Sequence, residues 1–109
     1  MRSVTIGYLL FLFYGFIMIL GFLGLAFMHE QVHVEIYKGY GIDSRVEYFR
    51  DFPHMATYGD KPCPTEECNL AHNINEVVGY QLQMLYILVG FGILTILSLM
   101  QLKLKTQEK

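Results

Sequence analysis

Two stretches without a single Asp, Glu, Lys or Arg, residues 3–28 and 77–102, constrain this 109-residue chain more than anything else in it. Each is 26 residues long, against the roughly 20 apolar residues that a membrane-crossing helix needs. At about 1.5 Å per residue, each would reach about 39 Å as a helix, longer than a hydrocarbon core of about 30 Å. Arg2 in front of the first run could mark a signal peptide, but the run far exceeds the usual h-region, and Leu25-Ala26-Phe27-Met28 makes a poor cleavage site. It is read as a retained anchor.

The expected fold is a mainly α membrane protein: an antiparallel two-helix transmembrane hairpin whose helices extend beyond the bilayer into a small outward loop section with a short β-hairpin. Residues 1–28 form the N-terminal tail and first transmembrane helix, 29–76 the extramembrane section, 77–102 the second transmembrane helix and 103–109 a basic tail. Nine of the ten acids and only four of the eight bases fall within 29–76, whereas Arg2, Lys103, Lys105 and Lys109 flank the apolar runs. The positive-inside rule therefore predicts both termini in the cytoplasm and the loop on the extracytoplasmic side.

At the outer end of the first run stands His29-Glu30-Gln31-Val32-His33, an HExxH pattern. Residues i and i+4 share a helix face, so His29 and His33 can hold one metal ion, with Glu30 close enough to take a proton from an attacking water. Before the second run stands His72-Asn73-Ile74-Asn75-Glu76, where His72 and Glu76 are again four apart. An antiparallel hairpin would bring both pairs to similar depth. The preferred metal set is His29, His33 and Glu76, three ligands with one position open, as in a catalytic zinc site. Glu30 is then the base, and His72 a nearby proton donor or oxyanion partner. A closed set of His29, His33, His72 and Glu76 would be a structural site.

These motifs resemble those of zinc metallopeptidases. HEQVH is similar to their HExxH, and Ile74-Asn75-Glu76 resembles the second motif of gluzincins such as thermolysin, where a glutamate of an Asn-Glu pair supplies the third ligand. The resemblance implies Zn2+ at His29, His33 and Glu76, water activation by Glu30, and peptide hydrolysis. It covers about ten residues, and two features depart from it. The position four after Glu76, where gluzincins commonly carry an acid, is Tyr80, and membrane helix replaces the sheet that precedes their HExxH.

Cys63 and Cys68 are the only cysteines. An outward loop favours a disulfide, and the rival is a Cys-x4-Cys-x3-His knuckle with His72. Alternating residues over 43–49 predict a strand ended by Phe52-Pro53, and 55–58 a second one. His54 is expected to face solvent. The first helix should end at Gly39 or Gly41, with Tyr37 and Tyr40 near the histidine face. Thr65, ahead of Glu66 and Glu67, should cap the second helix. Gly7, Gly15, Gly21 and Gly24 should let the helices approach, with Gly21 and Gly24 on one side near the outer end, and Gln83, inside the bilayer, should face the other helix or a partner.

Fewer than 50 extramembrane residues bury little core of their own, so a disulfide, a metal or a partner chain is needed. The alternative function is accordingly a non-catalytic small subunit of a larger membrane complex. Expected partners are the lipid bilayer and other membrane proteins or further copies of the chain. No basic patch or phosphate-cradling loop points to nucleic acid or nucleotides.

Overall fold

A computed structural model describes residues 2–51 and 54–109. The elements follow in the order α1 (Arg2–Gly39), β1 (Ser44–Asp51), β2 (His54–Gly59) and α2 (Glu66–Gln107). Both helices are long and apolar enough to cross a membrane, as their charge-free runs require. Phe52 and Pro53, the expected end of the first strand, lie outside the described residues, as does the side chain of His54.

The chain divides into two compact units, residues 1–22 with 84–109, and Leu23–Gln83. In the first unit the start of α1 lies against the end of α2, an antiparallel pair. Polar contacts join them: the Gln101 amide donates to the Val4 carbonyl at 2.8 Å, the Tyr86 hydroxyl donates to the Met18 carbonyl at 2.8 Å, and the Ser3 hydroxyl donates to the Glu108 carboxylate. The first two would each satisfy, in an apolar medium, a side chain that has no water to turn to. Gly21 earns its place here, because a Cβ would occupy the position of the Tyr86 hydroxyl. A Cβ at Gly7 would likewise meet the Gln101 side chain, whereas around Gly15 and Gly24 there is open space, so of the four expected glycines Gly7 and Gly21 serve close packing.

In the second unit α1 ends in a Schellman motif. Ile42 N–H donates to the Tyr37 carbonyl at 2.9 Å and Gly41 N–H to that of Lys38 at 3.0 Å. Gly41 takes φ 71°, the left-handed conformation that the motif needs. Ile42, which follows, is buried. The chain then forms an antiparallel hairpin with Arg45 opposite Tyr58, Val46 opposite Thr57 and Glu47 opposite Ala56, and the register slips between Glu47 and Asp51. The expected alternation holds from Asp43 to Val46 and then breaks, with Glu47 and Tyr48 both half-buried and Phe49 and Arg50 both exposed. Tyr48 stacks on Phe27 with centroids 5.7 Å apart and receives a hydrogen bond from Gln31 at 3.3 Å, while Arg45 and Phe49 are exposed.

The second helix begins as its sequence predicts. Thr65 Oγ1 accepts from Cys68 N–H at 3.2 Å, an N-cap bond, with Glu66 and Glu67 in the positive first turn. Cys63 and Cys68 are joined in a disulfide with Cα atoms 5.6 Å apart, and Cys68 is fully buried. Gln83 is half-buried.

Candidate metal centre

Both histidine-containing motifs are helical, and within the second unit their side chains meet. His29 and His33 lie one turn apart on α1, with His72 and Glu76 one turn apart on α2. His33 Nε2 is 2.7 Å from Glu76 Oε1, and His29 Nε2 is 3.4 Å from the same oxygen. One donor atom each from His29, His33 and Glu76 falls within 4.8 Å of the others. A tetrahedral zinc with bonds of about 2.0–2.1 Å sets its donors about 3.3–3.4 Å apart. The His29–Glu76 spacing already matches. The His33–Glu76 pair must open by about 0.7 Å on that geometry, and the Glu76 side chain, 40% exposed, has room to turn. Two imidazoles and a carboxylate are donors that zinc accepts.

The backbone around these donors is fixed by other residues. Asn75 donates its side-chain amide to the His29 carbonyl at 3.1 Å, which ties the two motifs together beside the candidate donors. A Cβ on Gly79 would overlap the His29 imidazole, so only glycine leaves room for that ring against α2. Tyr80, one turn after Glu76, packs at 6.2 Å from the His29 ring.

Glu30 lies beside the donors. It is buried, and its Oε2 accepts a hydrogen bond of 2.6 Å from Thr57 Oγ1 on β2. Its Oε1 is 4.0 Å from His29 Nε2. The carboxylate is thus held by the hairpin at a distance that a single water can bridge.

His72 lies on the other side of His33. Its Nδ1 is 2.6 Å from His33 Nδ1, with the rings stacked at 4.9 Å and the Tyr37 ring 4.3 Å away on His72. One hydrogen must lie between the two Nδ1 atoms, since two bare lone pairs would repel at that distance. His72 therefore contacts the nitrogen of His33 that faces away from Glu76. His72 Nε2 and His29 Nδ1 are buried without a hydrogen-bond partner among the described residues.

Electrostatics distinguish the two residues on α2. Burial pushes the Glu76 carboxyl up, but the hydrogen bond from His33 and the electrostatic influence of His29 and His33 outweigh it and hold the group below its ordinary range. Burial pushes His72 down, and the neighbouring His33 adds to this beyond the opposing pull of Glu76. His72 thus favours the neutral form and Glu76 the carboxylate, the states in which each can ligate a cation.

The i, i+4 spacing revealed four of these residues in the sequence, and Tyr37 stands by the histidines as expected. Tyr40 is exposed. Three residues carried no such signal: Thr57, placed only on a short strand, Gly79, and Asn75 in its role as a clamp on His29. Their contacts cross 27 to 50 residues of sequence, where no periodicity operates. Comparison with protein-family models, curated proteins and solved structures gives no match, so the chemistry of the centre rests on its geometry.

Proposed function

We propose that this is a membrane-anchored zinc protein of hydrolase type, with His29, His33 and Glu76 as ligands and Glu30 as general base. The observation that carries the reading is the meeting of three donors from two helices beside a buried carboxylate held at 4.0 Å from His29. Zinc bound there would polarise a carbonyl as a Lewis acid. Glu30, anchored by Thr57, would accept the proton of an attacking water and pass it to the leaving group. Glu76 would balance part of the ion's charge. Asn75 and Gly79 would hold His29 in place.

The resemblance to gluzincins agrees with this assignment and makes peptides the first substrates to try. The orientation that follows from the basic tails puts both termini in the cytoplasm and the centre at the extracytoplasmic surface, where the apolar runs begin. A substrate would then be met at the membrane boundary.

Metal content of the purified full chain in detergent tests the proposal. One equivalent of zinc is expected in the wild type and none in His33→Ala or Glu76→Ala. Glu30→Gln should retain the ion and lose peptide hydrolysis. A wild-type protein without stoichiometric metal would sink the reading and favour a non-catalytic subunit of a membrane complex.

A further inference from the structure

A second set of donors lies near the first and shares no ligand with it. The sulfurs of Cys63 and Cys68 and one ring nitrogen of His72 fall within 4.8 Å of one another. The disulfide accounts for the nearness of the sulfurs but not for that of the imidazole. His72 stands four residues after Cys68 on α2, so one helix face presents both. Cys68 is completely buried. With His72 Nδ1 engaged by His33, Nε2 is left buried and without a partner among the described residues. An orphaned buried nitrogen is costly, and a cation is one of the few partners that can satisfy it.

We propose that reduction of the Cys63–Cys68 disulfide opens a second metal site, in which two thiolates and the His72 imidazole take a thiophilic divalent cation such as zinc. A dithiol reductant supplies two electrons and two protons. The S–S bond breaks, two thiols form, and the reductant closes into its own disulfide. On binding the cation the two thiols release their protons to solvent. Two sulfurs and one imidazole nitrogen are a donor set that zinc accepts, with the fourth position left to solvent. Cys68 lies in the first turn of α2, whose positive end favours a thiolate. The oxidised chain keeps this site closed, because disulfide sulfurs are not thiolate ligands.

Cobalt(II) titration of the full chain in detergent, before and after treatment with a phosphine reductant, tests this. Reduction should add one equivalent of bound cobalt and a sulfur-to-cobalt charge-transfer band in the near ultraviolet, and zinc should displace both. Cys63→Ser and Cys68→Ser should each abolish the band, the former guarding against misfolding at the buried position. His72→Ala should lose the added equivalent. His29→Ala combined with Glu76→Gln should keep the reduction-dependent band, which separates this site from the proposed hydrolytic centre. A reduced wild type that binds no more cobalt than the oxidised form overturns the proposal. So does a His72→Ala variant with an unchanged band and affinity.

Discussion

Replacing Thr57 by valine isolates the hydrogen bond that holds Glu30. The two side chains have nearly the same shape, and valine suits a strand at least as well, so packing and propensity largely cancel. What disappears is a hydroxyl donor 2.6 Å from a carboxylate in a residue only 7% exposed. Thr57 Oγ1 also lies 3.2 Å from the Glu30 carbonyl, but it has one hydrogen, and the shorter, charged acceptor takes it. Hydrogen bonds to charged groups contribute about 1.5–3 kcal/mol net, so Thr57→Val should cost about 2 kcal/mol, about 30-fold in the unfolding equilibrium. Thr57→Ser should recover most of this loss. The assay is a double-mutant cycle by denaturant unfolding in detergent, with Glu30→Gln as the second change. In that background the acceptor is neutral, and the cost of Thr57→Val should fall to about 1 kcal/mol. An equal cost in both backgrounds, or a loss under about 0.5 kcal/mol in the wild type, would refute the reasoning that Thr57 acts through the Glu30 carboxylate.

Gly79→Ala should push the His29 ring from its position and weaken zinc binding about tenfold or more, as supporting-residue changes do; isothermal titration with zinc measures it, and unaltered affinity would count against the packing argument. Tyr86→Phe removes the bond to the Met18 carbonyl and should cost about 0.6 kcal/mol of helix association, the average found for hydrogen bonds between membrane helices, and no more than about 1.7 kcal/mol, read from unfolding in mixed micelles. The ion-free protein should lose stability on acidification. His72, held below its ordinary 6.5, binds protons more readily when unfolded, so its contribution is present above that value and is lost as pH falls below it. Glu76, held below 4.5, acts in the same direction at lower pH, losing its contribution as pH falls through the folded value. Thermal midpoints should therefore drop from pH 7 to pH 5 and again towards pH 4, and Glu76→Gln should flatten the second step; a flat profile would contradict the His72 and Glu76 environments described above.

The parts of this molecule that could be read from sequence are those written in short-range chemistry. Two charge-free runs dictate long apolar helices, Thr65 with two following acids dictates a cap, and the pair Gly39 and Gly41 marks the end of α1, which the backbone bonds place at Gly41. That the pairs 29/33 and 72/76 each share a helix face follows from the helical repeat alone. The hairpin's alternation as far as Val46 was visible too, but not its slip between Glu47 and Asp51, which depends on how β1 and β2 pair rather than on either strand. Likewise the sequence pattern puts His72 on the same helix face as Glu76 without saying which nitrogen of which imidazole it meets. Its contact with His33 Nδ1 follows from the relative depth of the two helices. The bonds from Tyr86 to Met18 and from Gln101 to Val4 are set in the same way, by the pairing of helix segments 68 and 97 residues apart.

Zinc-edge X-ray absorption on the oxidised, as-purified full chain tests the central assignment most directly. The account predicts one zinc per chain with a nitrogen/oxygen shell at about 2.0–2.1 Å, the scattering of two imidazoles, and no sulfur at about 2.3 Å, all lost in His33→Ala. A protein without zinc, or a zinc spectrum unchanged in His33→Ala, would contradict it.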